Sequence, residues 1–216
     1  MSAEDPAGEA QGVEADEPEP LFTVRWYEQE PAELLVQAGQ WLEQHDPAAA
    51  FRYYEAALAL DGAHARAAWH AAQLGLRTHR YAYAAEKAVL AVHFAPDHQP
   101  SYHLASVACF HAGEIERALE FAEATLARNP LHPAAPLQKL RSLAALGRWE
   151  EIEGFYRTLG PDLLAAGEVR LWQALALAHL GDGPAACALY TTVPSRIRSR
   201  YPDTVREIEA ALDGQQ

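Results

Sequence analysis

The sequence predicts an all-α solenoid of about five stacked helix-turn-helix units closed by a C-terminal helix, and three observations predict it. Asp46, Arg80, Glu114, Arg148 and Asp182 stand 34 residues apart, each just ahead of a segment with helical patterning. A fixed period near that length marks an array whose units bury their apolar faces only against their neighbours. Four residues after each member comes a small or aliphatic side chain, Ala50, Ala84, Ala118, Ile152 and Ala186, where two helices must approach closely. Just before each member lie His45, His79, Gly113, Gly147 and Gly181, and glycine ends a helix in the left-handed conformation without steric cost.

The elements follow in chain order, with first helices expected over 32–45, 64–78, 98–111, 134–146 and 168–180. In the first unit, 31–62, the opening helix fits one residue out of step, and either Ala38 or Gly39 can take its small-residue slot. Its second helix begins after Asp46 and carries Tyr54 one turn beyond Ala50. The second unit, 63–96, keeps Ala84 and Ala88 on that face and closes at Pro96. The third, 97–130, places Tyr102, Ala105, Ser106, Cys109, Ala118 and Ala122 in register and closes at Pro130. The fourth, 131–164, departs most: Pro136 stands in the aromatic slot, and Gly160-Pro161 should cut its second helix short. The fifth, 165–194, carries Ala186 and Tyr190. In the remainder, 195–216, Thr204-Val-Arg-Glu207 reads as a capping box ahead of a closing helix that runs to about Leu212.

These residues resemble the tetratricopeptide repeat, whose pattern is an aromatic, Leu-Gly, Tyr, then Ala-x-x-x-Phe and a closing Pro. The third unit matches best, through Tyr102, Ala105, Ser106, Cys109, Ala118, Ala122 and Pro130; elsewhere the spacing is kept while the aromatic fillings vary. The resemblance implies a right-handed α-solenoid that binds proteins, with the first helix of each unit lining a concave groove for an extended or helical peptide. Family members that hold the carboxylate tail of heat-shock chaperones use Lys, Arg and Asn on those helices. Here they carry no Asn and only Lys139, which argues against that ligand.

Positions one and two turns along the first helices name a candidate groove: Trp69, His70, Gln73 and Arg77; His103, Val107 and His111; Gln138 and Arg141; then Leu171 and Leu175. This lining is basic, aromatic and histidine-rich in its middle and favours an acidic or amphipathic segment, with Trp69, Arg77 and Arg141 as anchors.

Residues 1–20 hold seven acids and no basic side chain and read as a disordered acidic tail. The rest keeps 23 acidic against 17 basic residues, a net −6 of the chain's −13. Within 21–30, Leu21–Tyr27 is mostly apolar or aromatic. It reads either as an N-terminal cap over the first unit or as a segment that competes for the groove.

Other chemistries find little support. His64, His98 and His132 recur at the turn that opens each first helix, too far apart along the array to converge on one metal ion. No nucleophile-elbow, phosphate-loop or dinucleotide motif occurs, so neither catalysis nor a cofactor is expected. Carboxylate pairs such as Glu150–Glu151 and Glu114–Glu116 start second helices, where the helix dipole favours them. The net charge of −13 argues against nucleic acid despite Arg196, Arg198 and Arg200, and no apolar run is long enough to span a membrane. Cys109 and Cys187 read as small buried hydrophobes. The start Met1-Ser2-Ala3-Glu4-Asp5 lacks a secretory pattern, so a cytoplasmic location is expected. Only Lys87 and Lys139 are lysines among the 17 basic residues, a bias that suggests a GC-rich bacterial source. The expected function is a non-catalytic adaptor that binds a protein or peptide partner. Two alternatives stay open, a dedicated client chaperone for secretion or complex assembly and a structural homodimer.

Overall fold

The computed structural model describes residues 30–213, and every regular element among them is a helix. The acidic tail and Leu21–Tyr27 lie outside the described residues. From Pro31 onward the chain forms one unit of five helix pairs. These are α1 (Pro31–Leu42) with α2 (Pro47–Leu60), α3 (Ala65–Arg77) with α4 (Tyr81–Phe94), and α5 (Gln99–Ala112) with α6 (Ile115–Arg128). Then come α7 (Ala135–Ala145) with α8 (Trp149–Tyr156), the short α9 (Pro161–Leu164), and α10 (Gly167–His179) with α11 (Gly183–Thr191). Two closing helices follow, α12 (Ser195–Arg200) and α13 (Pro202–Asp213).

The five residues of the 34-residue series are the N-caps of the five second helices. Asp46 accepts the Ala49 N–H at 2.9 Å and Asp182 that of Ala185 at 3.1 Å, each satisfying one orphan donor of its helix. At Arg80, Glu114 and Arg148 the side chain makes no such bond. Glu114 instead pairs with Arg117, and Arg148 reaches Glu151 at 2.7 Å.

The turn before each cap explains the strict spacing. His79, Gly113, Gly147 and Gly181 have φ of 59°, 84°, 68° and 84°. The next residue then donates its N–H to a carbonyl five positions back: Arg80 to Gly75, Glu114 to Cys109, Arg148 to Leu143 and Asp182 to Leu177, at 2.8–3.0 Å. This is the Schellman closure. The first pair differs. Asp46 bonds the Leu42 carbonyl only four residues back, and His45 does not share the positive φ. That connection shifts α1 by one residue, and Gly39 takes the small-residue slot. Gly39 is buried, and a Cβ there would stand 2.6 Å from Cε1 of the fully buried Tyr54. Trp41 is thereby turned outward and is 71% exposed.

Packing changes in character along the array. The first pair buries Val36, Phe51 and Tyr54 against Leu74 of α3. The middle is built from Ala72, Ala84, Ala88, Ala105, Ala108 and Ala118 around Cys109, whose thiol burial pushes up to about 11. The C-terminal part uses large side chains, among them Leu140, Leu143, Ile152, Trp172 and Ile208. First helices pack against one another in sequence (α1 on α3, α3 on α5, α5 on α7, α7 on α10), and no two second helices pack in that way. The first helices therefore lie on the tighter side of the array and share one face.

Several expectations need correction. Leu171 and Leu175 belong to the C-terminal core with Ile197 and Ile208 and do not line an open face, because the closing helices α12 and α13 pack on α10. Thr204 is no N-cap: α13 starts earlier, at Pro202, whose ring suits a first helical turn. Helix α12 begins directly after Pro194 and was not foreseen. Cys187 is exposed, unlike Cys109. The shortened α8 and the break at Gly160-Pro161 are as the sequence predicts.

These local geometries make two predictions. Gly39→Ala should destabilise the fold by about 1–3 kcal/mol, because Tyr54 has no room to yield; an unchanged urea midpoint would show the Gly39–Tyr54 approach to be looser than described. At the left-handed turns, Gly113→Ala should cost about 1 kcal/mol. His79→Gly should gain about 0.5–1 kcal/mol, relief of left-handed strain outweighing the lost hydrogen bond to Tyr81. Opposite shifts of the denaturation midpoint at constant slope check both.

Candidate functional site

The shared face of the first helices opens at α1 and α3 with a closed set of polar contacts. Glu43 accepts from Arg77 Nη2 and from the Tyr54 hydroxyl, both at 2.5 Å, and lies 3.7 Å from His70 Nδ1. The far side of that imidazole meets Gln40 Nε2 at 2.5 Å. Glu33 takes Arg66 at 2.7 Å. Burial holds His70 below the usual imidazole range against the opposing pull of Glu43, so its ring is a neutral polar wall at neutral pH. At this end each cation already has its carboxylate.

Next to that set, Trp69 stands edge-on to His70 at 4.8 Å and to His98 at 5.8 Å between ring centroids. With Ala65, Arg66 and Ala95 these rings line a mostly apolar cleft of about 300 Å³. The indole Nε1 is buried and has no acceptor among the described residues. The cleft exists because the α4–α5 connection brings Ala95 and His98 beside the first turns of α3.

Further along, on α5, the His103 ring lies 4.5 Å from that of His132. Burial pushes His103 down to about 4, with His132 acting in the same direction, and its Nδ1 is buried without a partner. His111 stacks on Tyr81 at 5.0 Å, and burial, then Arg141 and His79, hold it below its ordinary range. The Arg141 guanidinium lies 4.6 Å over the Phe110 ring and makes no ion pair with any described residue. Gln73 and Val107 are half-buried along the same face. Gln138 is only 3% exposed and sits inside the helix packing, with its Nε2 unpartnered.

The face ends at the closing helices. Glu168 takes Arg200 at 2.7 Å and the Tyr201 hydroxyl at 3.1 Å, and His179 stacks on Trp149 at 4.1 Å while meeting Glu207 at 2.8 Å. Thus Trp69, His70, Arg77, His103, Val107, His111 and Arg141 fall on or beside one face, whereas Gln138 lies beneath it. Reading the groove slots alone missed Glu43, Gln40 and Phe110, and one signal was available. Glu43 and Arg77 are opposite charges 34 residues apart.

The histidine ladder has a local structural use. His64 Nδ1 accepts the Ala67 N–H at 3.2 Å, His132 Nδ1 that of Ala135 at 3.1 Å, and His98 Nδ1 meets the Ser101 hydroxyl at 2.7 Å. His64 caps α3 as Ser or Asp would, while His98 stands at the N-cap of α5 without bonding its backbone and His132 precedes the cap of α7, Ala134. Among the described residues no three His, Cys, Asp or Glu side chains come together as a metal site, and no helix is long and apolar enough to cross a membrane.

No family model matches the sequence, and no curated protein matches it. Solved structures do. The chain is similar to YrrB, described as a TPR protein with an unusual peptide-binding site, at 16% identity and a TM-score of 0.69 over 83% of this chain and 91% of that one. It is also similar to MamA, at 15% identity and a TM-score of 0.68 over 80% and 94%. PilF of Pseudomonas aeruginosa follows at 17% identity and a TM-score of 0.58 over 83% and 81%. The first TPR of Spaghetti (RPAP3), solved with the HSP90 peptide SRMEEVD, matches over 54% of this chain at 21% identity and a TM-score of 0.50. At these identities the likeness is one of fold, and the fold of this chain is the all-α solenoid of the tetratricopeptide-repeat proteins.

Proposed function

We propose that this protein is a non-catalytic interaction module that binds an extended or helical segment of a protein partner along the shared face of its first helices. One observation carries the reading: that face bears groups which the fold itself leaves unmatched. Among the described residues Trp69 Nε1 and His103 Nδ1 have no hydrogen-bond partner, and Arg141 meets no carboxylate. Arg141, held flat on Phe110, offers a ligand carboxylate a charge-assisted hydrogen bond. The face is built on rigid helices, so little ordering is needed on this side when a ligand binds. The peptide-binding site described for YrrB and the peptide held by the RPAP3 domain support the reading.

The anchors on this reading are Trp69 and Arg141. Arg77 contributes less than its sequence position suggests, because Glu43 already neutralises it. Other carboxylates near the face are held in ion pairs, Glu33 with Arg66 and Glu168 with Arg200.

Affinity capture from a source lysate, read by mass spectrometry, tests the reading. The Trp69→Ala/Arg141→Ala double variant should keep its helical signal and melting temperature yet lose the partner retained by the intact protein, with affinity falling at least roughly tenfold. Equal capture by both would move the site off this face. Recovery of the protein alone would favour self-association.

A further inference from the structure

The face is divided by charge, and the division describes its ligand. At the α1–α3 end Arg66 and Arg77 are neutralised by Glu33 and Glu43, so what remains there for a ligand is the apolar cleft walled by Trp69, with one indole N–H lacking an acceptor. On α7 the position is reversed. Arg141 has its flat side on Phe110, and no carboxylate among the described residues meets its N–H groups. A segment complementary to both sites must bring an apolar side chain to the first and a carboxylate to the second.

The spacing of the two sites follows from the fold. Trp69 is on α3 and Arg141 on α7, with α5 between, and α3 packs on α5 as α5 packs on α7. Helix axes in contact lie about 8–10 Å apart, so two steps span roughly 16–20 Å. In register, Arg141 lies one turn further along its helix than Trp69 does, which adds about 5.4 Å at right angles and lengthens the path little. An extended chain advances about 3.3 Å per residue and covers this distance in about five or six residues.

We infer that the partner segment, bound as in the groove reading on which this inference rests, is extended and carries an aromatic or branched apolar residue five or six positions from an Asp or Glu. The apolar side chain fills the Trp69 cleft, and the carboxylate pairs with Arg141. At the other end Arg66 and Arg77 are each already paired with a carboxylate, so an acid gains less there than at Arg141.

A random dodecamer library displayed on phage and selected against the intact protein tests this. The same selection is run on Trp69→Ala, Trp69→Phe, Arg141→Gln and Arg141→Lys, each first shown to keep the parental circular dichroism. Peptides selected on the intact protein should share the apolar–acidic pair at that spacing. Synthetic copies with either member replaced by Gly should bind roughly tenfold more weakly or worse. Selection on Arg141→Gln should erase the acid and keep the apolar residue; Trp69→Ala should do the reverse; Trp69→Phe and Arg141→Lys, which retain ring and charge, should keep the pair. Binding peptides that lack the pair, or a pair that survives both deletions, would overturn the two-point reading while leaving the groove in place. Failure of every peptide to enrich would overturn the groove reading and this inference with it.

Discussion

At the ends of α3, α5, α7 and α10 one residue turns left-handed and the next gives its N–H to a carbonyl five positions back, and this closure sets the relation between the two helices of a repeat. It leaves no freedom in the length of the connection, so the cap of the second helix always falls at the same distance from the end of the first. The small side chains that meet across the pair can then stay small, as where Gly75 approaches Ala84 so nearly that a Cβ would stand 3.0 Å from that methyl. Where the closure is missing, in the first repeat, the register slips by one residue and Gly39 takes over the close approach. Trp41 is turned to solvent as a result.

The polar face depends on the same constraint. The repeated connections bring successive first helices side by side, so a charge on one helix meets whatever its neighbour presents beside it. Glu43, in the turn after α1, reaches Arg77 at the end of α3, while Arg141 meets the Phe110 ring and no carboxylate among the described residues. Pairing at one end and its absence at the other are thus two outcomes of one geometry. Such pairs near the surface contribute modestly to stability, and their larger effect here is on which part of the face still offers charge to a ligand.

Much of this was legible in the residues. The 34-residue series named the N-cap of every second helix, and the glycines behind it named three of the four left-handed turns. His79 filled the fourth by position, though its side chain gives no hint that it adopts φ of 59°. Trp69, His103 and Arg141 were placed on the groove by period alone, and each lies partly buried on a first helix. Leu171 and Leu175 obey the same period and are buried, because the array ends beside them and α12 and α13 cover what would otherwise be groove. Gln138 is polar and periodic yet internal, one residue's rotation, about 100°, being enough to carry a side chain from the face into the packing. The cleft at Trp69 had no signature of its own, since Ala95 and His98 belong to a loop that follows the next helix.

Local spacing determined the class of fold, the number of helix pairs and the identity of the helix starts, because turn geometry and helix periodicity act over a few residues and are written in order along the chain. Which charges are cancelled, which buried donors remain without partners and which apolar residues are hidden by the closing helices depend on contacts between segments about thirty residues apart. Those contacts came only with the tertiary structure, where a shift of a single residue at one turn decides whether a side chain faces a neighbour, the core or solvent.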